Sequence, residues 1–300
     1  MISPDRRAFL KGLAASGAAL WASRAAVAAT DWKAQAGIQV YTVRDLFAKD
    51  PEGTLAKLAE IGFREIEPTS YGNLEPRQFR ELLDRYGLRA PSTHAGAAAG
   101  PNLEKQLEGF QTMGIRYTTI SSGGGGGGRG PRTEESVKRS TDQQNKNGQI
   151  AKKFGMKILI HNHTEEFELL EGSRLRMFDI QLAETDPALV TMELDIGWAS
   201  VAGQNIVELL QKHPGRFELW HVKDAHGMKA MPAQATMPER RRAAMLVPVG
   251  LGEVDYKTIF AAAAPAGLKH FYVEQDNAAA WGDSMAAAKV SYQNLIKALG

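Results

Sequence analysis

Short apolar runs alternate with amphipathic stretches along most of the chain, and that alternation predicts the fold. Runs at 38–43 (IQVYTV), 65–68 (EIEP), 89–94 (RAPSTH), 116–121 (RYTTIS), 157–163 (KILIHNH), 190–196 (VTMELDI), 217–223 (FELWHVK) and 270–275 (HFYVEQ) have the length of strands. The apolar core of the fifth, Ile158 to Ile160, does not alternate, as in a parallel strand buried on both faces. Between the runs, Leu55, Leu58 and Ala59, and later Leu103, Leu107 and Phe110, recur at helical spacing. Gly62, Gly87, Gly114, Gly155 and Gly267 stand just before a following run, where a helix ends in a left-handed residue. Eight βα units over residues 29–300 leave about 34 residues each, which predicts α/β architecture as a single-domain (β/α)8 TIM barrel. A doubly wound sheet is the alternative, but no G-x-G-x-x-G follows the first run.

Composition narrows the chemistry. Three hundred residues with 43% hydrophobic content can bury a large core, and the absence of cysteine removes disulfides, thiolate zinc sites and cysteine nucleophiles together. Any metal must be held by nitrogen and oxygen. Residues 3–11 carry Arg6-Arg7 before Phe9-Leu10-Lys11, an Ala-rich apolar stretch follows at 12–22, and Ala26-Val27-Ala28 has the form of a cleavage site. This resembles a twin-arginine signal peptide over 1–28, and the stretch is short of the roughly 20 residues that span a bilayer. A periplasmic protein without a membrane anchor after cleavage is expected. Removing 1–28 leaves 32 basic and 33 acidic residues, net −1. No nucleic-acid footprint is expected, because Arg240, Arg241 and Arg242 form one short cluster in what reads as a solvated loop.

The stretch KILIHNHTEEFE at 157–168 places two histidines at a strand end. By strand alternation His161 and His163 point to one side and Asn162 to the other, an arrangement suited to a divalent metal or to proton transfer. A barrel collects its chemistry at the C-terminal ends of its strands, and polar residues recur there. Tyr41 and Arg44, Glu67, His94, His161 with His163, Glu193 with Asp195, His221 with Lys223, and Glu274 with Asp276 follow seven different runs. One such residue is commonly a satisfied polar group. So many are hard to explain by packing, because each uncompensated buried charge destabilises the fold. The glycine run 123–128 lacks a P-loop lysine and reads as a loop over the mouth.

GIQVYTVRD at 37–45, HNHTEEF at 161–167, ELDIGW at 193–198, HVKDA at 221–225, VGLGEVD at 249–255 and VEQD at 273–276 resemble the xylose-isomerase-like barrel superfamily. More narrowly they are similar to bacterial sugar phosphate isomerase/epimerase proteins, relatives of ketose 3-epimerases, inosose dehydratase and endonuclease IV. The resemblance implies one divalent metal ion held by His161, Asp195, His221 and Glu274. That mixed nitrogen and oxygen set suits Mn²⁺, Co²⁺, Zn²⁺ or Fe²⁺ better than Mg²⁺. The epimerases carry a glutamate where this chain has His161, so a symmetrical two-carboxylate epimerase mechanism is not expected.

Such an ion would polarise a keto-sugar carbonyl and acidify the neighbouring proton. Glu274, His163 and His94 are the candidate bases, with Lys223 as the stabiliser of the enolate oxygen. Reprotonation elsewhere gives isomerisation or epimerisation; expulsion of a β-substituent gives a lyase or dehydratase. Tyr41, Glu67 and Trp198 are the expected substrate contacts, and Trp220 is expected to pack under the helices. The partner expected is a small-molecule carbohydrate, with a homo-oligomer left open. A phosphodiesterase of the endonuclease IV kind lacks its extra ligands here, since Trp198 stands three residues after Asp195 and Ser121-Ser122-Gly123 ends the fourth run. A periplasmic sugar-binding protein without activity is the remaining alternative.

Overall fold

A computed structural model describes residues 31–121 and 132–300. The expected signal at 1–28 and the glycine run at 123–128 lie outside the described residues. Among the described residues no helix is long and apolar enough to cross a membrane.

Parallel strands Gly37–Gln39, Glu65–Glu67, Tyr117–Thr118, Lys157–His161, Val190–Asp195, Leu219–Val222 and His270–Val273 form one seven-stranded sheet. Its edges are Glu65–Glu67 and Tyr117–Thr118, and segment 89–92 lies between them. Two isolated parallel bridges, Glu65 to Arg89 and Ser92 to Tyr117, join this segment to both edges and close the barrel. It makes bridges rather than a ladder because Pro91 has no N–H to donate; its carbonyl accepts from Tyr117 N at 3.1 Å. All eight expected runs are therefore barrel staves. The fourth splits: Tyr117–Thr118 stays in the barrel, while Ile120–Ser121 leaves it to pair with Ala97–Ala98.

The outer helices follow their strands in order, from Pro51–Ile61 to Ser284–Ala298. Those at Leu103–Met113 and Ala263–Ala266 end at Gly114 and Gly267, which take φ of 87° and 86° where a Cβ would be strained. Alternation along the strands then divides the side chains. Ile158, Ile160, Leu194, Trp220, Phe271 and Val273 are buried, and Trp220 meets Phe260 of the Tyr256–Ala261 helix edge to face at 5.3 Å. Leu159, Leu219 and Tyr272 have the opposite parity and cluster with Tyr117. A side chain buried this completely contributes about 1.5–3 kcal/mol. Two residues further along the same faces stand His161, His221 and Glu274, so this apolar layer is the floor of the polar mouth.

The basic run expected in a solvated loop is helical instead. Met237–Ala243 is a short helix with a reciprocal cap between Thr236 and Glu239, set between the antiparallel strands Asp224–His226 and Met245–Val247. Arg240 donates to the carbonyls of Pro232, Ala233 and Ala235, and Arg241 pairs with Glu165 across the mouth.

Candidate active site and metal centre

Register brings the mouth residues together. His161 lies opposite Glu193, Asp195 opposite His221, and Gln39 opposite Glu67. The four expected metal ligands converge, and one donor atom from each of His161, Asp195, His221 and Glu274 lies within 4.8 Å of the others. His221 Nδ1 is 2.8 Å from Glu274 Oε2, and His161 Nε2 is 3.8 Å from Asp195 Oδ2. Asp195 is fully buried, with Oδ1 accepting from Trp198 N at 2.7 Å while Oδ2 has no hydrogen-bond partner. Asn162, turned to the other side as alternation requires, accepts from Asp195 N at 3.0 Å and fixes that backbone. A buried carboxylate oxygen that accepts no hydrogen bond and has the Lys223 ammonium 3.1 Å away, beside two imidazoles and a second carboxylate, fits a divalent cation.

Protonation follows from the crowding. Burial drives the His161 ring down to about 3, helped by the charge of His221, so His161 is neutral and able to ligate. Burial also opposes charge on His221, but the carboxylates of Glu193, Glu274 and Glu67 outweigh it and hold this ring well above the ordinary histidine range. For Glu274, burial favours the acid, yet Lys223 and His221 hold it well below the usual carboxylate range. Asp195 is raised, chiefly by burial. Lys223 is fully buried and kept charged against burial by Asp195, Glu274 and Asp276, at 3.1, 3.0 and 2.9 Å.

The other expected site residues divide. His94 belongs to the cluster, its Nε2 2.5 Å from Glu193 Oε2, with its ring stacked 5.1 Å from that of His221. His163 is exposed; the strand stops at His161, and the two rings meet edge to face at 5.0 Å. Tyr41, on the turn Val40–Val43, is 39% exposed at the rim, with the Arg44 guanidinium 3.9 Å over its ring. Trp198 departs from expectation. It is 6% exposed and packs on Val201, Ala225 and Leu246, with Lys223 Nζ and the Arg241 guanidinium over the ring at 5.1 and 5.3 Å. Its face is covered by cations rather than open to a sugar. Glu67 likewise is no rim residue: it is fully buried and accepts from Gln39 Nε2 at 2.8 Å and from Ser92.

Glu193, named from the sequence as a strand-end residue but given no role, joins His94, His161 and His221 in a second set of donors within 4.8 Å. Strand parity was the available signal, since Glu193 shares the face of Asp195. Sequence reasoning passed over Asp224, next to Lys223. Its buried carboxylate accepts backbone N–H groups from Ala225, Gly250, Gly252 and Val254 and so holds the VGLGEVD loop.

Comparison with known proteins agrees with this fold. An inosose dehydratase of Geobacillus kaustophilus is 26% identical over 69% of this chain and 73% of its own length. A sugar phosphate isomerase/epimerase from Parabacteroides distasonis has a similar structure, with a TM-score of 0.67, 22% identity, and coverage of 92% of this chain and 98% of that one. The IOLI protein, solved with a zinc atom, aligns with a TM-score of 0.63 at 14% identity, over 88% of this chain and 98% of its own. The model of the xylose isomerase-like TIM barrel matches residues 55–290. With that match across most of the barrel, the chain belongs to the xylose isomerase-like TIM-barrel family.

Proposed function

We propose that the protein is a divalent-metal-dependent carbohydrate enzyme that removes a proton beside a carbonyl, with β-elimination as the outcome the site supports best. The observation that carries this reading is Glu274, a carboxylate kept ionised at the mouth between His221 and Lys223. A bound divalent ion supplies Lewis-acid polarisation of a carbonyl, and His161, Asp195, His221 and Glu274 would hold it. Glu274 accepts the α-proton. Lys223, 3.0 Å from it, faces the charge that develops on the neighbouring oxygen. With an imidazole at position 161 where the epimerases carry a glutamate, the two-carboxylate pair is incomplete, which favours loss of a β-hydroxyl, leaving as water with the proton taken up by Glu274, over two-face epimerisation. Similarity to inosose dehydratase supports the same outcome.

A neutral substrate suits the rim. Lys223 is paired with three carboxylates, Arg241 with Glu165, and Arg44 stacks on Tyr41, so none of these three is a free phosphate clamp. Tyr41 offers an exposed ring for the apolar face of a sugar. Export by the twin-arginine route to the periplasm belongs to the same proposal and rests on Arg6-Arg7; retention of an Arg6→Lys, Arg7→Lys double variant in the cytoplasm checks it. The function is tested by incubating metal-loaded protein with keto-inositols and 3-keto-glycosides in D₂O and following both deuterium at the α-carbon and loss of the β-substituent by NMR. Exchange with elimination supports the proposal. Exchange with a new stereocentre and no elimination makes it an epimerase, and no exchange on any substrate returns it to a binding protein.

A further inference from the structure

Beneath the four donors lie two more carboxylates that the proposed reaction does not use. Glu67 and Glu193 are both fully buried, and they pair with the histidines His94, His161 and His221. Each shared imidazole looks two ways. His221 presents Nδ1 to Glu274 at 2.8 Å and Nε2 to Glu67 at 2.7 Å. His161 presents Nε2 to Asp195 at 3.8 Å and Nδ1 to Glu193 at 3.4 Å, and this Nδ1 has no hydrogen-bond partner. One nitrogen of each ring therefore faces the outer pair Asp195 and Glu274, and the other faces the inner pair Glu193 and Glu67.

We propose that Glu193 and Glu67 are positioning residues that orient His161 and His221 from the side turned away from the outer set, Glu67 by accepting the Nε2–H of His221 and Glu193 by its charge 3.4 Å from His161 Nδ1, so that His161 Nε2 and His221 Nδ1 are left as lone-pair donors to one ion in the outer set. The inference rests on the four-donor reading. A ligating histidine is ordinarily oriented by a carboxylate on its other nitrogen, which also makes the ring a stronger donor. The outer set is the one that takes the ion because Asp195 lies one inward position beyond Glu193 on the same strand, closer to the mouth. Glu67, moreover, is already engaged by Gln39, Ser92 and His221. His94 completes the inner group, with Nε2 at 2.5 Å from Glu193 and 3.5 Å from Glu67.

The test measures Mn²⁺ affinity by chelator competition and the visible spectrum of the Co²⁺ form, in wild type, Asp195→Asn, Glu67→Gln and Glu193→Gln, with thermal unfolding of each metal-free protein. Wild type should bind one ion and Asp195→Asn should lose most of it. The two glutamine variants should keep one ion and the wild-type Co²⁺ spectrum but bind roughly 10–100-fold more weakly. A purely structural role would instead lower the unfolding temperature and leave affinity unchanged. Unchanged affinity in both glutamine variants overturns the inference. So does an altered Co²⁺ spectrum in Glu193→Gln together with full binding in Asp195→Asn, which would make Glu193 itself a ligand. Absence of any ion in wild type removes the four-donor reading and this inference with it.

Discussion

Asp224→Asn should destabilise the barrel strongly while leaving all proposed ligands in place. The carboxylate is fully buried at the end of the seventh stave. Its Oδ1 accepts from Ala225 N at 2.9 Å and Val254 N at 3.1 Å, and its Oδ2 from Gly250 N at 2.9 Å and Gly252 N at 3.0 Å. An asparagine keeps one acceptor oxygen and turns an NH₂ group toward two N–H donors. Two bonds to a charged acceptor are lost, each about 1.5–3 kcal/mol, so the expected loss is about 3–6 kcal/mol. That is a large part of a typical net stability of about 5–15 kcal/mol. Gly252→Ala should act through the same contact, because its Cβ would stand 2.2 Å from Asp224 Oδ1. The loop leads into the helix that begins at Tyr256, whose hydroxyl donates to the Lys223 carbonyl at 2.6 Å, so turnover should fall along with stability. Urea unfolding of wild type and both variants, at fixed metal concentration and again with chelator, measures the loss. A change below about 1 kcal/mol in Asp224→Asn would refute the reasoning, since it would mean that these four bonds are replaced by water at no net loss.

Three further outcomes follow from the mouth. Because His221 is held protonated in the metal-free protein, an ion must displace that proton; affinity should rise with pH, and calorimetry in buffers of different ionisation enthalpy should show about one proton released per ion. Release of no proton would mean that His221 is not a ligand. Glu274→Gln should lose most turnover while retaining part of the metal, since an amide oxygen coordinates but takes no proton, whereas exposed His163→Ala should lower the rate with little loss of metal; metal content and exchange rate of the two variants decide both. Lys223→Met should destabilise the metal-free protein by about 3–5 kcal/mol, because Asp195, Glu274 and Asp276 lose their shared buried counter-charge; the loss should shrink when the ion is present, and an equal loss in both forms would contradict the proposed site.

Much of the fold was legible because it rests on local signals. Apolar runs of strand length, helical spacing between them and glycines at helix ends each reflect the chemistry of a few adjacent residues, and eight repeats of that pattern have few ways to close. Runs weak on their own terms, such as RAPSTH, gained their place only from their neighbours. Segment 89–92 makes two bridges and is held by the strands on either side. The helix at Met237–Ala243 shows the opposite failure: the arginine cluster was read as a loop, while Thr236 and Glu239 stand at the spacing of a capping box and start a helix there.

The candidate site was legible as a list of strand-end residues and not as an arrangement. Parity alone placed His161 and His163 on one side of their run and Asn162 on the other. Which nitrogen of each ring faces which carboxylate depends on stagger between strands far apart in the chain, as in the 2.7 Å contact between His221 and Glu67. Burial likewise was decided by tertiary packing. Tyr41 and Trp198 both follow barrel strands, yet the first lies on an open rim and the second is sealed under Lys223 and Arg241. Side-chain type and strand parity are properties of the chain and were available from it; the pairing of buried charges, which sets protonation and the capacity to hold an ion, exists only once the staves close and bring those groups within a few ångströms out of water.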